Sequence, residues 1–384
     1  MRVLFVSAPL LGHTFPLVPL ATAMRDAGHE VMIATGGDAL PPLRATGLAV
    51  HDVAAGFQFR TVSGRTMRAH PMVAWAELTG KGGNRGGALI FAAINEMIVD
   101  NVLAVAQRWM PDLVLYEPYA PAGAITAAHL GVPAVMHGIG PFDGPEQTRA
   151  VCARMTTALT GLGHDGLPPD AATLTVAPPS LVGPRPGWPM RYVPYSGDGH
   201  LPDWLTLPAD RPRVLVSRGT AAPGGNLMRA VVAAASEVDA QFILVRPGRR
   251  LTRAGRLPAN VRTVDWIPLT AAMAASAAII HHGGSGSVLG ALAAGLPQLV
   301  IFGVGDSTYN AAFVHERGAG LAMRPRQITV ESLTRLVSDP AIAAAAREVR
   351  DEIAAMPPPA QLVERLVALA GRTRTPIYHT EVPP

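Results

Sequence analysis

Apolar and polar positions along this chain follow a repeating order. Val3 to Ser7 is a short β-rich run, VLFVS, followed by a loop containing Gly12. Leu17, Leu20, Ala21 and Met24 then recur at helical spacing, Gly28 stops the helix, and VMIAT resumes the strand pattern. Strand, loop, helix and strand in that order make the βαβ unit of a parallel sheet. DLVLYE, AGAITAAHLG and VPAVMH repeat the unit, with Gly131 and Pro133 punctuating the helix end. Between roughly Pro168 and Pro212 the periodicity fades while proline and glycine accumulate, which predicts a linker with irregular surface. From Arg213 strand patterns return as RVLVSRG, QFILV, VRTVDW, AAIIHH and PQLVIF, most of them separated by helical stretches. The pattern predicts an α/β protein with two doubly wound parallel sheets, in domains 1–195 and 213–356 joined by a linker over 196–212. Helical patterns at Ala341 to Ala355 and Ala360 to Ala370 have no strand after them, so residues 357–384 are expected to hold a helix crossing back to the first domain, and a loose tail.

Residues 54–86 read as the longest irregular stretch of the first domain, and loops of that length are usually functional or disordered. Phe57, Phe59, Met67, Met72 and Trp75 give it too much apolar surface for plain disorder. Two readings stand: it lines a pocket for an apolar molecule, or it is a lid packed on its own domain.

Composition narrows the class. In 384 residues, 49% hydrophobic and 16% charged, the balance suits buried parallel sheets under alanine-rich helices. The formal charge of +4 is spread through the chain without basic runs, which argues against nucleic acid as a partner. Cys152 is the sole cysteine, so no intrachain disulfide can form and a reduced compartment is expected. The N-terminal apolar run is too short for a signal peptide, and no uninterrupted apolar stretch reaches membrane-spanning length. A cytoplasmic protein without a membrane partner is therefore expected. A homodimer is compatible with the sequence, although no segment specifies one.

The candidate chemistry begins at HHGGSGS, residues 281–287, where a strand gives way to a helix starting near Ser285. The first N–H groups of a helix lack intrahelical acceptors and carry the positive end of its dipole, a combination that attracts phosphate. Glycine at 283, 284 and 286 lets a bulky anion approach the backbone, Ser287 offers a hydroxyl, and His281 a ring N–H. Two other readings remain. A dinucleotide fingerprint from Gly284 and Gly286 requires its third glycine at Leu289, but glycine appears at 290, although Asp306 lies twenty residues beyond Gly286. A structural turn is the other. A metal at the paired histidines is disfavoured, because adjacent strand side chains point to opposite faces.

HHGGSGS, GALAAGLPQLVI and GDSTYNAAFVHERGAG in that order resemble the sugar-nucleotide signature of family 1 glycosyltransferases with the GT-B fold, and the opening GHTFPLVPLA resembles the start of their acceptor domain. Within that family the chain resembles actinomycete enzymes that attach deoxysugars to polyketide and enediyne antibiotics. The resemblance spans nearly the whole chain. It implies two Rossmann-like domains facing across a cleft, a TDP- or UDP-sugar as co-substrate, no separate cofactor or metal, and a hydrophobic, aromatic or polyketide-derived acceptor. It also implies that His281, Gly284, Ser285, Gly286 and Ser287 meet the diphosphate, with serine at 287 where relatives often carry threonine. Gly219 and Thr220 in VSRGT become diphosphate neighbours. Trp266 and the backbone of Ile267 in VDWIPL meet the nucleobase, with simple core packing as the other reading of Trp266. Asp306 would bond sugar hydroxyls; Ser307 after it, where glutamine is common, shortens the polar reach and suits a deoxygenated sugar.

Displacing a nucleoside diphosphate from an anomeric carbon requires a base for the acceptor hydroxyl and stabilisation of the departing anion. His13, at the family's catalytic position in GHTFP, is the expected base, lying between the first strand and first helix. Relatives commonly pair it with an aspartate at the end of the strand reading LVLYE; here Glu117 stands there, one methylene longer. Glu117 is thus the candidate partner, against an exposed or helix-capping role. A single inverting displacement is implied. A sugar-nucleotide epimerase of the same fold, an NAD(P)-dependent oxidoreductase and a non-catalytic accessory homologue are the rival functions.

Overall fold

A computed structural model describes residues 1–78, 82–155, 167–197, 199–219, 225–248, 251, 256–303 and 305–372. Within them the first sheet has seven parallel strands, β1 (Arg2–Val6), β2 (Glu30–Thr35), β3 (Ala49–Asp52), β4 (Leu113–Tyr116), β5 (Ala134–His137), β6 (Ala172–Thr175) and β7 (Trp188–Pro189). Their spatial order is β3-β2-β1-β4-β5-β6-β7, and Val3 pairs with Val31 on one side and Leu113 on the other. Central strands of such a sheet are covered on both faces, which is why VLFV is a continuous apolar run with no exposure at Val3, Leu4, Phe5 or Val6. The second sheet repeats the plan with β8 (Arg213–Ser217), β9 (Gln241–Val245), β10 (Val261–Val264), β11 (Ala278–His281), β12 (Gln298–Ile301) and β13 (Gly320–Met323), in the order β10-β9-β8-β11-β12-β13.

Helices fill both faces. The first domain carries α1 (Leu11–Thr14), α2 (Val18–Asp26), α3 (Leu40–Ala45), α4 (Phe59–Ala69), α5 (Pro71–Leu78), α6 (Arg85–Trp109), α7 (Ala122–Leu130) and α8 (Gly144–Cys152). The second carries α9 (Gly225–Ala235), α10 (Leu269–Ala274), α11 (Ser285–Ala293), α12 (Ser307–Glu316), α13 (Val330–Ser338) and α14 (Pro340–Ala355), and α15 (Pro359–Arg372) follows. Val18, Leu20, Ala21 and Met24 form the buried face of α2, and Gly28 turns the chain at φ +86°, a left-handed conformation that favours glycine. By length and composition α6 suffices to cross a membrane, yet 56% of its apolar window is buried inside the protein.

Two expectations need correction. The stretch at 54–86 contains two helices, α4 and α5, in place of a long loop. Gly64 and the His70–Pro71 pair interrupt an otherwise helical spacing of Phe59, Val62 and Met67, and α4 buries no residue fully. The supposedly irregular segment after Pro168 supplies the edge strands β6 and β7 and two single-turn helices, Pro179–Val182 and Asp203–Thr206. The turn-forming prolines between them, Pro178, Pro179, Pro184 and Pro186, mask these short edge strands, and β7 is only two residues long.

One hydrophobic cluster runs through both domains: Phe5, Leu20 and Ile98 belong to it together with Val288, Leu292, Val349 and Ile353. Leu362, Val363 and Leu366 of α15 join the same cluster, and α15 lies against α2. Backbone bonds tie the crossing, with Arg191 N–H donating to Pro357 O at 2.8 Å.

Both sheets reverse their strand order next to the first strand, between β1 and β4 and between β8 and β11. Such a reversal splays the loops at the carboxyl ends of the strands and opens a crevice for ligand. The residues that follow β1, β4, β8 and β11 therefore occupy the binding positions of the fold.

Candidate active site

His13 follows β1 and Glu117 follows β4, so the first crevice brings them together. His13 Nδ1 lies 3.2 Å from Glu117 Oε1. The carboxylate is fully buried and also accepts two backbone N–H groups, Ala8 on Oε1 at 3.1 Å and Tyr119 on Oε2 at 2.8 Å. A buried anion held by three donors is fixed in orientation, and it fixes the imidazole in turn. His13 sits in the single turn of α1, not in an open loop ahead of a helix. Asp38 Oδ1 accepts the N–H of Leu11 at the start of that turn, which has no side-chain cap of its own. The imidazole packs against Phe91 at 4.7 Å and edge-on to Tyr119 at 5.1 Å, and Tyr119 in turn meets Phe142 at 5.4 Å. Burial pushes the Tyr119 hydroxyl well above its ordinary range, and the charges of Asp306 and Glu117 add to the shift. Tyr119 thus stands between the His13–Glu117 pair and an acid of the other domain.

The second crevice contains the start of α11. Gly284 is its N-cap in extended conformation with no side-chain cap, so the first N–H groups of the helix keep their need for an acceptor. Gly283 has φ +84°, and a Cβ there would stand 2.8 Å from Ser307 Cβ, so this turn excludes any larger residue. Ser285 Oγ donates to Asp306 Oδ2 at 3.0 Å and accepts from Asn310 Nδ2 at 3.1 Å. The first domain reaches this point directly. A Cβ on Gly140 would fall 2.6 Å from Ser285 Oγ, and Tyr192 Oη donates to Gly286 O at 3.5 Å.

The structure redistributes several expected roles. His281 is the last residue of β11 and is fully buried; its Nε2 is 2.8 Å from Gln298 Oε1, and its Nδ1 accepts the Gly283 N–H at 3.1 Å. Burial lowers its pKa to about 3. Its ring nitrogens are both occupied within the protein, so His281 shapes the turn and has no free ring nitrogen to offer a diphosphate. His282 takes the forward position. Its ring fills the space between Gly219 and Gly284, where a Cβ would come within 2.7 Å and 2.6 Å, and its Nδ1 is buried without a hydrogen-bond partner. With two adjacent histidines the sequence left the end of the strand ambiguous by one residue. Ser307 is also corrected: it is buried, and its hydroxyl accepts the Gly303 N–H at 3.2 Å.

Asp306 borders the helix start, and Ser287 lies in the first turn of α11. Trp266 is 50% exposed at the carboxyl edge, which excludes plain core packing, while the side chain of Ile267 is buried. Thr220 lies outside the described residues. Of the expected acceptor residues, Phe57, Phe59 and Met67 are half-buried, whereas Met72 and Trp75 stand on α5 at 85% and 62% exposure. The aromatic rings against His13 are instead Phe91 and Tyr119, from α6 and from the loop after β4, with Phe142 behind them; the sequence reading missed all three. Among the described residues no group of three or more His, Cys, Asp or Glu side chains is arranged to hold a metal ion.

Comparison with known proteins gives this geometry a family. Residues 22–219 match the N-terminal domain of the erythromycin biosynthesis protein CIII-like family, and residues 229–369 match its C-terminal domain. The elloramycin glycosyltransferase ElmGT of Streptomyces olivaceus is 37% identical over 391 residues, covering 98% of this chain and 99% of that protein. Among solved structures, the glycosyltransferase SnogD from Streptomyces nogalater superposes with a TM-score of 0.81 at 38% identity, over 97% of this chain and 99% of its own. The Streptomyces glycosyltransferase SsfS6, in complex with thymidine diphosphate, gives 0.82 at 26% identity, over 96% and 99%.

Proposed function

This chain belongs to the erythromycin biosynthesis protein CIII-like family, whose relatives are antibiotic deoxysugar glycosyltransferases of GT-B fold, and from that premise we propose an inverting, metal-independent transfer of a deoxysugar from a TDP- or UDP-sugar to a hydrophobic natural-product acceptor. The observation that carries the reading is the His13–Glu117 pair at one crevice, opposite the open start of α11 at the other. The thymidine diphosphate bound to SsfS6 favours TDP as the nucleotide.

In this mechanism the acceptor hydroxyl donates to His13 Nε2 while Nδ1–H donates to Glu117. As the acceptor oxygen bonds to the anomeric carbon from one face, the bond to the diphosphate breaks on the other, and its electron pair leaves with the nucleotide. The hydroxyl proton passes to His13, and the charge formed is offset by Glu117. The N–H groups of α11 and the ring of His282 face the leaving diphosphate, where negative charge grows. Asp306, held by Ser285 and Asn310, is available to sugar hydroxyls. Phe91, Tyr119 and Phe142 offer apolar and π surface beside the base for a planar acceptor.

The test is release of TDP from a TDP-deoxysugar with and without a polycyclic aromatic acceptor, with NMR assignment of the product anomer. Release that requires acceptor, an inverted anomer and abolition by His13→Ala are expected. Retention of configuration, or turnover of the sugar nucleotide without acceptor, overturns the reading.

A further inference from the structure

Two arginines at the carboxyl edge of the second sheet have no part in the site described so far. Ser217 and Val245 are paired final residues of β8 and β9, so Arg218 and Arg246, which follow them, emerge side by side from that edge. Arg246 has φ +55°, a left-handed conformation that residues with a Cβ avoid unless their surroundings require it. Its N–H donates to Val264 O at 2.7 Å, and its guanidinium carbon lies 5.7 Å from the Trp266 ring centroid. Among the described residues that guanidinium makes no hydrogen bond and no ion pair. Arg218 Nε is likewise buried without a hydrogen-bond partner. An arginine left with unused N–H donors in a crevice is suited to a planar, multidentate anion.

The surroundings indicate which anion. Gly219, next to Arg218, backs onto the ring of His282, and His282 leads directly into the turn that starts α11. Arg246 also faces the opposite domain: the Asp38 carboxyl is raised by burial and drawn back down by the N–H of Leu11 and by the charges of Arg246 and His13. The pair therefore continues the edge that begins at α11.

We propose that Arg218 and Arg246 form a cationic clamp on the diphosphate of the donor, with the indole of Trp266 holding the Arg246 fork in place. The inference rests on the glycosyltransferase reading above. In such a clamp the guanidinium N–H groups strengthen their hold as the anomeric bond breaks and charge builds on the leaving oxygens. They contribute positive charge that the neutral helix start provides only in part.

The experiment is calorimetric titration of TDP and of thymidine into the wild-type protein, Arg246→Gln, Arg246→Lys and Arg218→Gln, at two salt concentrations. Arg246→Gln is expected to weaken TDP about 10-fold or more, the usual scale for a lost charge-assisted bond, to leave thymidine unchanged, and to flatten the salt dependence. Lysine should restore part of the affinity. Because Arg218 is partly buried, its variant counts only if its thermal melt matches wild type; Arg246, half-exposed, carries the test alone otherwise. TDP affinity within about 2-fold of wild type in Arg246→Gln, or an equal loss for TDP and thymidine, overturns the clamp. Failure of the wild-type protein to bind TDP would instead sink the donor reading itself, and His13→Ala, which leaves the clamp intact, should bind TDP normally while losing turnover.

Discussion

Replacing Glu117 by glutamine is the sharpest test of the base. The substitution keeps the shape of a fully buried side chain and removes its charge. Three N–H groups point at the carboxylate, from Ala8, Tyr119 and His13. If the amide oxygen stays on Ala8 and His13, the amide nitrogen must confront the Tyr119 N–H, opposing two donors at a cost of about 1–3 kcal/mol in stability. If the amide flips, it presents N–H groups to Ala8 and to His13 Nδ1, and the imidazole turns to the wrong tautomer. In either case the imidazolium formed as the acceptor proton arrives loses a charge-assisted bond worth about 1.5–3 kcal/mol. At about 1.36 kcal/mol per decade, kcat should fall about 10- to 150-fold. TDP affinity, built on the other sheet, should not move. The assay is TDP release at saturating acceptor, beside a thermal melt and a TDP titration. Because the two residues act as a unit, His13→Ala should be slower still, and the double variant no slower than His13→Ala. A folded Glu117→Gln protein with wild-type kcat, or strictly multiplicative losses in the double variant, refutes the pairing.

Other outcomes follow from the same geometry. His281 and His137 have folded pKa values of about 3 and about 4, both lowered chiefly by burial. The unfolded chain therefore binds more protons below about pH 6.5, and stability should be full above that pH and decline as pH falls, by up to about 1.4 kcal/mol per unit for each group. A melting temperature independent of pH between 7.5 and 5 would contradict this. Gly283→Ala places a Cβ against Ser307 at a positive φ and should abolish TDP binding, read by titration on protein whose far-UV spectrum is unchanged. Leu366→Ala empties a fully buried position where α15 meets the first domain, at a cost of about 2–5 kcal/mol measured by denaturant unfolding. Turnover should persist in excess EDTA; loss that Mg²⁺ or Mn²⁺ restores would place a cation at the diphosphate.

Much of this was legible in the chain because its signals are local. Central parallel strands such as VLFV and QFILV must be apolar on both faces, and Gly28 and Gly131 mark where helices end. The carboxylate of Glu117 was readable as a partner only from its place at the end of a strand. Of its three donors Tyr119 lies two residues along the same loop, whereas Ala8 and His13 come from the segment after β1, which only the folded sheet brings alongside. What escaped has the same cause. His281 and His282 are indistinguishable until the strand end fixes which ring turns inward against Gln298. Phe91 lies in the second turn of a long apolar helix, where one apolar residue among many carries no mark of facing a histidine. Arg246 looks like an ordinary charged residue after a strand, because its left-handed backbone leaves no trace in composition. Met72 and Trp75 drew attention as apolar residues in a stretch read as irregular, yet helical geometry turns them outward.

The final helix is continuous in sequence with the second domain but seats Leu362, Val363 and Leu366 in the hydrophobic interior it shares with α2. Shuffling of halves between relatives must respect that allegiance. A chimera spliced at the linker alone would bring in a foreign terminal segment to a surface tailored for another, whereas one that returns residues 357–372 to their native α2 keeps the matched seam. Recombination aimed at new sugar and aglycone combinations thus needs two crossover points, not one.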